Sequence, residues 1–193
     1  MMMRALEAGG MSVRTNKQWN VFAENLSDES YRINPNGELY ELHPRQVALP
    51  WTYVGNSVVK VVAMLVGRIP DISPDTRVVF MWRDPEEVRQ SFNAIMEKMR
   101  TASEQYAMQL QYPGPGNGDL STREVEDIQE WAVSFLRRKF QVTELDYREL
   151  LKTPITHFEI LRRNGWPIDP ARSATVPDES LHRFRKENLT EGV

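Results

Sequence analysis

The sequence predicts an α/β domain with a mainly parallel sheet flanked by helices, and three observations predict it. Val58 to Val62 and Val78 to Trp82 are short runs rich in β-branched and aromatic residues, the pattern of strands covered on both faces. The second run passes directly into a capped helical segment. A third strand-like stretch, Gln141 to Leu145, comes after another helical segment, so strands and helices alternate. Alternation calls for crossovers between parallel strands.

Composition narrows the class. At 193 residues, 40% hydrophobic and 26% charged, the chain reads as one soluble domain over 1–193 with a substantial core. The net charge of −3 argues against bulk nucleic-acid binding and leaves room for a local basic pocket. Without cysteine there are no disulfides, thiol nucleophiles or thiolate metal sites, which fits a reducing compartment. His43, His157 and His182 are far apart and lack metal-ligand spacing, so no metal is expected. The apolar run from Val58 to Val66 is broken by Lys60 and too short for a bilayer, and Arg4 and Glu7 break up the methionine-rich start that a signal peptide would need. The expectation is a cytoplasmic domain with no membrane or nucleic-acid partner.

In chain order, Met1 to Ala8 are strong helix formers, and Gly9-Gly10 can end a helix. Residues 12–55 form a loop excursion, polar up to Asn36 and marked by asparagine-rich turns, with Trp19, Phe22 and Tyr31 as anchors. The run Val58 to Val62 reads as a central strand. Lys60 within it is costly unless it lies near the strand end or meets an anion.

After the turn Asp71-Ile72-Ser73-Pro74-Asp75 comes the strand Val78 to Trp82. Asp84 then caps a helix, Pro85 suits its first position, and Glu87 completes a capping box. Val88, Phe92, Ile95, Met96 and Met99 give that helix an apolar stripe reaching to about Ser103. Arg83 thus ends a strand, and Ser91 lies about 10 Å along the next helix at about 1.5 Å per residue. Residues 112–120, rich in proline and glycine, are a connector or a lid.

Ser121 and Glu124 form a second capping box, and Val125, Ile128, Ala132, Phe135 and Leu136 make the buried face of that helix. Arg137, Arg138 and Lys139 sit in its last turn, where the helix dipole favours cations without any ligand. Gln141 to Leu145 is a short strand, and Thr153-Pro154 opens a helix that stops at Asn164-Gly165 and leaves His157 on its surface. Residues 178–193 read as a basic tail.

The segment from Arg83 to Ser91 resembles the 3′-phosphate-binding segment of sulfotransferases that use 3′-phosphoadenosine 5′-phosphosulfate (PAPS), where an Arg ends a strand and a Ser follows eight residues later. The resemblance runs in order through nearly the whole chain. Met1 to Met11 is similar to the helix that follows the Pro-Arg-Ser-Gly-Thr-Ser phosphate loop of bacterial members. Asn34-Pro35-Asn36-Gly37, with Tyr40-Glu41, is similar to their Asn-Pro-Arg-Gly-Tyr-Tyr-Glu. Asp146-Tyr147 with Thr153-Pro154 matches a segment in which a strand runs into Asp-Tyr-Glu-Asp-Leu and then a proline-started helix.

What the resemblance implies is a P-loop nucleotide-kinase/sulfotransferase-like three-layer fold, entered after its first strand and 5′-phosphosulfate loop, with activity impaired accordingly. It also implies sulfuryl transfer from PAPS to a hydroxyl or amine acceptor, without a metal. Arg83 and Ser91 are the expected 3′-phosphate ligands, with Arg185 closing from the tail beside Arg183 and Lys186. Lys60 matches the lysine that contacts the sulfuryl group in cytosolic members, but Val62 stands where they carry a histidine base. Glu41 becomes the expected base, with Glu38 and His43 behind it.

Other readings stand beside these. Arg83 can equally belong to an ordinary strand–turn–helix and pair with a neighbouring carboxylate. Glu41 can be a solvated turn residue, Lys60 a strand-edge lysine reaching water, and the chain a non-catalytic relic that binds a nucleotide or a protein. A nucleotide kinase has no glycine-rich Lys-Ser/Thr loop here to support it. A parallel sheet entered without its first strand would leave an edge open to pairing, so self-association is also expected.

Overall fold

The computed structural model describes residues 1–14, 47, 57–73, 75–102 and 119–177, with side chains described as far as Ala94 in the second long stretch. The expected excursion over 12–55 therefore lies outside the described residues except at Ser12–Arg14 and Val47, as do most of the 112–120 loop and the 178–193 tail.

Six α-helices lie within the described residues: α1 (Met2–Ala8), α2 (Pro85–Ala102), α3 (Thr122–Arg137), α4 (Tyr147–Lys152), α5 (Pro154–Arg163) and α6 (Pro170–Ser173). Two strands, β1 (Arg77–Trp82) and β2 (Gln141–Asp146), pair in parallel, with Arg77 opposite Gln141 and Trp82 opposite Asp146. The protein is thus mixed α/β, with a parallel pair as its sheet among the described residues.

Side-chain caps start several of these helices; those at Ser121 and Asp84 are the ones read from the sequence, and Asp146 adds a third. Ser121 accepts from the backbone N–H of Glu124, whose carboxylate accepts from the backbone N–H and the hydroxyl of Ser121. Asp84 Oδ1 accepts from the N–H groups of Glu86 and Glu87, and Asp146 Oδ1 from those of Arg148 and Glu149. Two helices end in the same way. Gly10 (φ +98°) after α1 and Gly165 (φ +84°) after α5 turn the chain left-handed. Met11 N–H then reaches the Leu6 carbonyl, and Trp166 N–H the Leu161 carbonyl, closing the six-residue loop typical of glycine-terminated helices.

Alternation along β1 and β2 divides the core into two layers, as successive residues on a strand face opposite ways. Phe80, with Val78, Trp82 and Val142, packs toward Ala132, Val133 and Leu136 of α3. Val79, Met81 and Leu145 face Ala5 and Leu6 of α1, Leu150 of α4, and Phe158 and Leu161 of α5. Helices therefore cover both faces of the pair, as the apolar run in β1 predicts. Burial is less complete than that run implies, since Phe80 alone in β1 is fully buried.

The strand expected over Val58–Val62 is corrected. Among the described residues Val58 makes a parallel bridge to Val13, with Val58 N–H to the Ser12 carbonyl at 2.8 Å and Arg14 N–H to the Val58 carbonyl at 2.9 Å, and Lys60 is a further isolated bridge position, so the run is two bridge residues rather than a continuous strand. Ala63–Arg68 then forms a 3₁₀ helix that buries Leu65 and Val66. The physical reason is coverage. Val58, Val59, Val61 and Val62 are only half-buried and Lys60 is exposed, so the run is not the doubly covered strand its β-branched composition suggests.

Candidate functional site

The site follows from the register. Because Trp82 lies opposite Asp146, the residues that leave the two strands, Arg83 and Tyr147, emerge side by side where α2 and α4 begin. The carboxyl ends of parallel strands are where α/β folds place ligands.

Arg83 is half-buried, and its guanidinium carbon sits 4.8 Å from the centre of the Tyr147 ring, within cation–π range. Its Nε is buried and unpartnered, and the guanidinium makes no hydrogen bond or ion pair among the described residues. The backbone of Arg83 is held instead by Gln129 of α3, whose amide accepts from the Arg83 N–H and donates to the Arg83 carbonyl. Tyr147 titrates above its ordinary value because burial disfavours the phenolate. Arg83 pulls the other way, and Glu87 adds to the rise.

The alternative expectation, that Arg83 pairs with a neighbouring carboxylate, has no counterpart among the described ion pairs. Two nearby carboxylates, Asp84 and Glu87, are engaged by Arg148. Arg148 donates from Nη2 (2.5 Å) and Nε (3.2 Å) to Oε1 of Glu87, which is 1% exposed, and its Nη2 lies 3.4 Å from Asp84.

Arg83, Ser91, Tyr147 and Lys60 all line one cavity of about 1610 Å³, ample for a nucleotide-sized ligand. Arg83 also borders a second recess of about 490 Å³, shared with Arg148. Asp84, Glu126, Glu130 and Asp146 line that recess, so its charge is unfavourable to an anion. The large cavity is the better candidate.

The expected 3′-phosphate pair, Arg83 and Ser91, is thus brought to one cavity, and Lys60 borders the same space. Glu41, Glu38, His43, Arg183, Arg185 and Lys186 lie outside the described residues. Among the described residues no group of His, Asp or Glu is arranged to hold a metal ion, and no helix is long and apolar enough to cross a membrane.

Three residues here were not singled out from the sequence. Gln129 carried a readable signal, being a polar residue on the Val125–Ala132–Leu136 stripe. Tyr147 entered the sequence reading only as part of the Asp146-Tyr147 resemblance segment, not as a site residue, and Arg148 carried only its place after β2, which gains meaning once the register is known. Comparison of the chain with family models, curated proteins and solved structures gives no match.

Proposed function

We propose that the protein binds a 3′-phosphorylated adenine nucleotide at the carboxyl ends of β1 and β2, and that it is a sulfotransferase-like protein using PAPS as donor. In this reading Arg83 and Ser91 grip the 3′-phosphate, Arg185 closes from the tail, Lys60 contacts the transferred sulfuryl group, and Glu41 takes the proton of a hydroxyl or amine acceptor. The observation that carries the reading is the state of Arg83. A partly buried guanidinium held over an aromatic ring, with its Nε unpartnered, gains by meeting an anion.

Titration calorimetry tests it by comparing adenosine 3′,5′-bisphosphate with AMP. The bisphosphate is expected to bind at least about ten-fold more tightly, since a charge-assisted contact is worth about 1.5–3 kcal/mol, and Arg83→Ala should remove that preference. Equal affinity of the native protein for the two nucleotides would refute the assignment.

A second reading, a nucleotide-binding protein without transferase activity, is favoured by Val62 at the position of the cytosolic members' histidine and by the exposure of Lys60. Labelled PAPS with a panel of phenol, carbohydrate and amine acceptors separates the two. Turnover supports transfer, and tight binding without turnover supports the second reading.

A further inference from the structure

We propose that the large cavity holds a second ligand, an anionic amphiphile, with its apolar body against a methionine-rich wall and its anionic head on Arg77. The inference goes beyond the nucleotide reading and does not rest on it.

Size gives the first argument. The cavity measures about 1610 Å³, whereas a pocket for one small molecule takes roughly 300–1,000 Å³. A nucleotide at Arg83 would leave much of the space unfilled.

The lining gives the second. Met1, Met2, Met3, Met11, Met64 and Met81 all border the cavity, six of the nine methionines in the chain. Met3 is buried, and the other five are half-buried. The valines of the 58–62 run, with Val78 and Val79, border the same space and are half-buried as well. Apolar surface left partly uncovered around a concavity gains free energy when an apolar body covers it. Methionine suits that task, because its three rotatable bonds and polarizable thioether fit chains or rings of varied shape. A carbohydrate laid on this wall would instead lose water from hydroxyls that find no partner there.

Arg77 supplies the head site. It opens β1 and Arg83 follows the last residue of β1, so the two lie about 20 Å apart at about 3.3 Å per residue. Both border the cavity, and at that separation they serve different ligands. The Arg77 guanidinium lies against Gly165, where an added Cβ would fall 2.9–3.1 Å from it, and it makes no hydrogen bond or ion pair among the described residues. Asp71 and Asp75 border the same cavity, yet neither pairs with Arg77, and Asp71 is taken by Lys139 at 3.1 Å. Trp166 follows Gly165 in the chain and also borders the cavity. It is 8% exposed, and its Nε1–H has no acceptor. This part of the wall therefore carries a cation and a sheltered donor without a matching anion, the complement of a carboxylate or similar head group.

The test uses the full chain with decanoate and 1-decanol, which share an apolar body and differ in head charge. By titration calorimetry decanoate is expected to bind at least about ten-fold more tightly than 1-decanol, as a charge-assisted contact allows. Arg77→Met should bring decanoate down to the affinity of the alcohol, and Arg77→Lys should keep part of the preference. Arg83→Ala should not reduce it. In spectra of methyl-labelled methionine, the signals of Met64 and Met81, assigned with Met→Leu variants, should shift with decanoate and with 1-decanol but not with acetate, which carries the head alone.

No saturable binding of decanoate, equal affinity for the two amphiphiles, a preference lost in Arg83→Ala rather than in Arg77→Met, or unmoved methionine signals would each overturn the proposal. Equal binding of adenosine 3′,5′-bisphosphate and AMP strikes the nucleotide reading alone, since the decanoate measurements contain no nucleotide.

Discussion

The side-chain amide of Gln129 closes two hydrogen bonds on the backbone of Arg83, Oε1 accepting from its N–H and Nε2 donating to its carbonyl, each at 3.3 Å. This is the pairing a neighbouring strand would supply, delivered from α3 at the point where β1 ends. Gln129 is 6% exposed, so the bonds are made away from bulk water. Gln129→Met keeps the length of the side chain and removes both bonds. It should cost about 1–3 kcal/mol, as two net hydrogen bonds are lost and a sheltered backbone pair is stranded. Chemical denaturation measures this, and an unchanged midpoint would show that the clamp contributes nothing.

A second clamp of the same kind joins Asn93 of α2 to Leu120. Asn93 Oδ1 accepts from the Leu120 N–H at 3.0 Å, and Nδ2 donates to the Leu120 carbonyl at 3.2 Å. Leu120 is buried directly before the Ser121 cap of α3. Asn93→Leu should therefore destabilise by about 1–3 kcal/mol, while the surface change Glu159→Gln should stay within about 0.5 kcal/mol. Equal effects of the two substitutions would argue against the clamp.

Glu86 gives a pH dependence with a definite sign. Hydrogen bonds from Arg89 first, then Thr122 and Gln90, lower its pKa from the ordinary 4.5 to about 2. A carboxylate depressed in the folded state contributes stability that is fully present above the unfolded value and is lost as pH falls through the folded one. Stability should therefore decline between about pH 4.5 and pH 2. The decline should be shallower in Glu86→Gln, as followed by thermal melts across that window. Thr122 begins α3, so the variant should also loosen the tie between the starts of α2 and α3.

Gly165 and Gly9 are required for different reasons, and alanine at each separates them. At Gly165 an added Cβ would come within 2.9–3.1 Å of the Arg77 guanidinium, a flexible end that can move away, whereas φ of +84° remains. Gly165→Ala should cost about 1–2 kcal/mol, and truncating Arg77 should not restore it. At Gly9, φ is an ordinary −72°, but the Cβ would lie 2.2 Å from Oγ of Ser173, which is fully buried. Gly9→Ala should be relieved at least in part by Ser173→Gly. Full rescue of Gly165→Ala by Arg77→Ala, or no rescue at Gly9, would reverse this assignment.

Local rules were legible in the sequence where one segment settles its own structure. The Asp84 and Ser121 caps, Pro85 and Pro154 in first turns, and the glycine stops at Gly10 and Gly165 all depend on residues within a few positions. Val58–Val62 was misread because β-branched composition reports a preference for extended backbone but not whether both faces will be covered. The site was legible only by halves. Arg83 and Ser91 stand out as a spaced pair, whereas the partition of Asp84 and Glu87 to Arg148 depends on the register between two distant strands. No local pattern encodes that register.

The parallel pairing of β1 and β2 also ties the integrity of the site to the kinetics of the fold. The two strands touch in space, yet α2 and α3 stand between them in the chain, so their pairing is a long-range closure rather than a local event. Arg83 belongs to one strand's exit and Tyr147 and Arg148 to the other's, so any opening that separates the strands dismantles the cation site with them. Amide protons in the β1–β2 ladder should accordingly exchange through the same opening that exposes Arg83. A ligand bridging the two strand ends would slow that exchange in both strands together, even if it touched only residues beyond them.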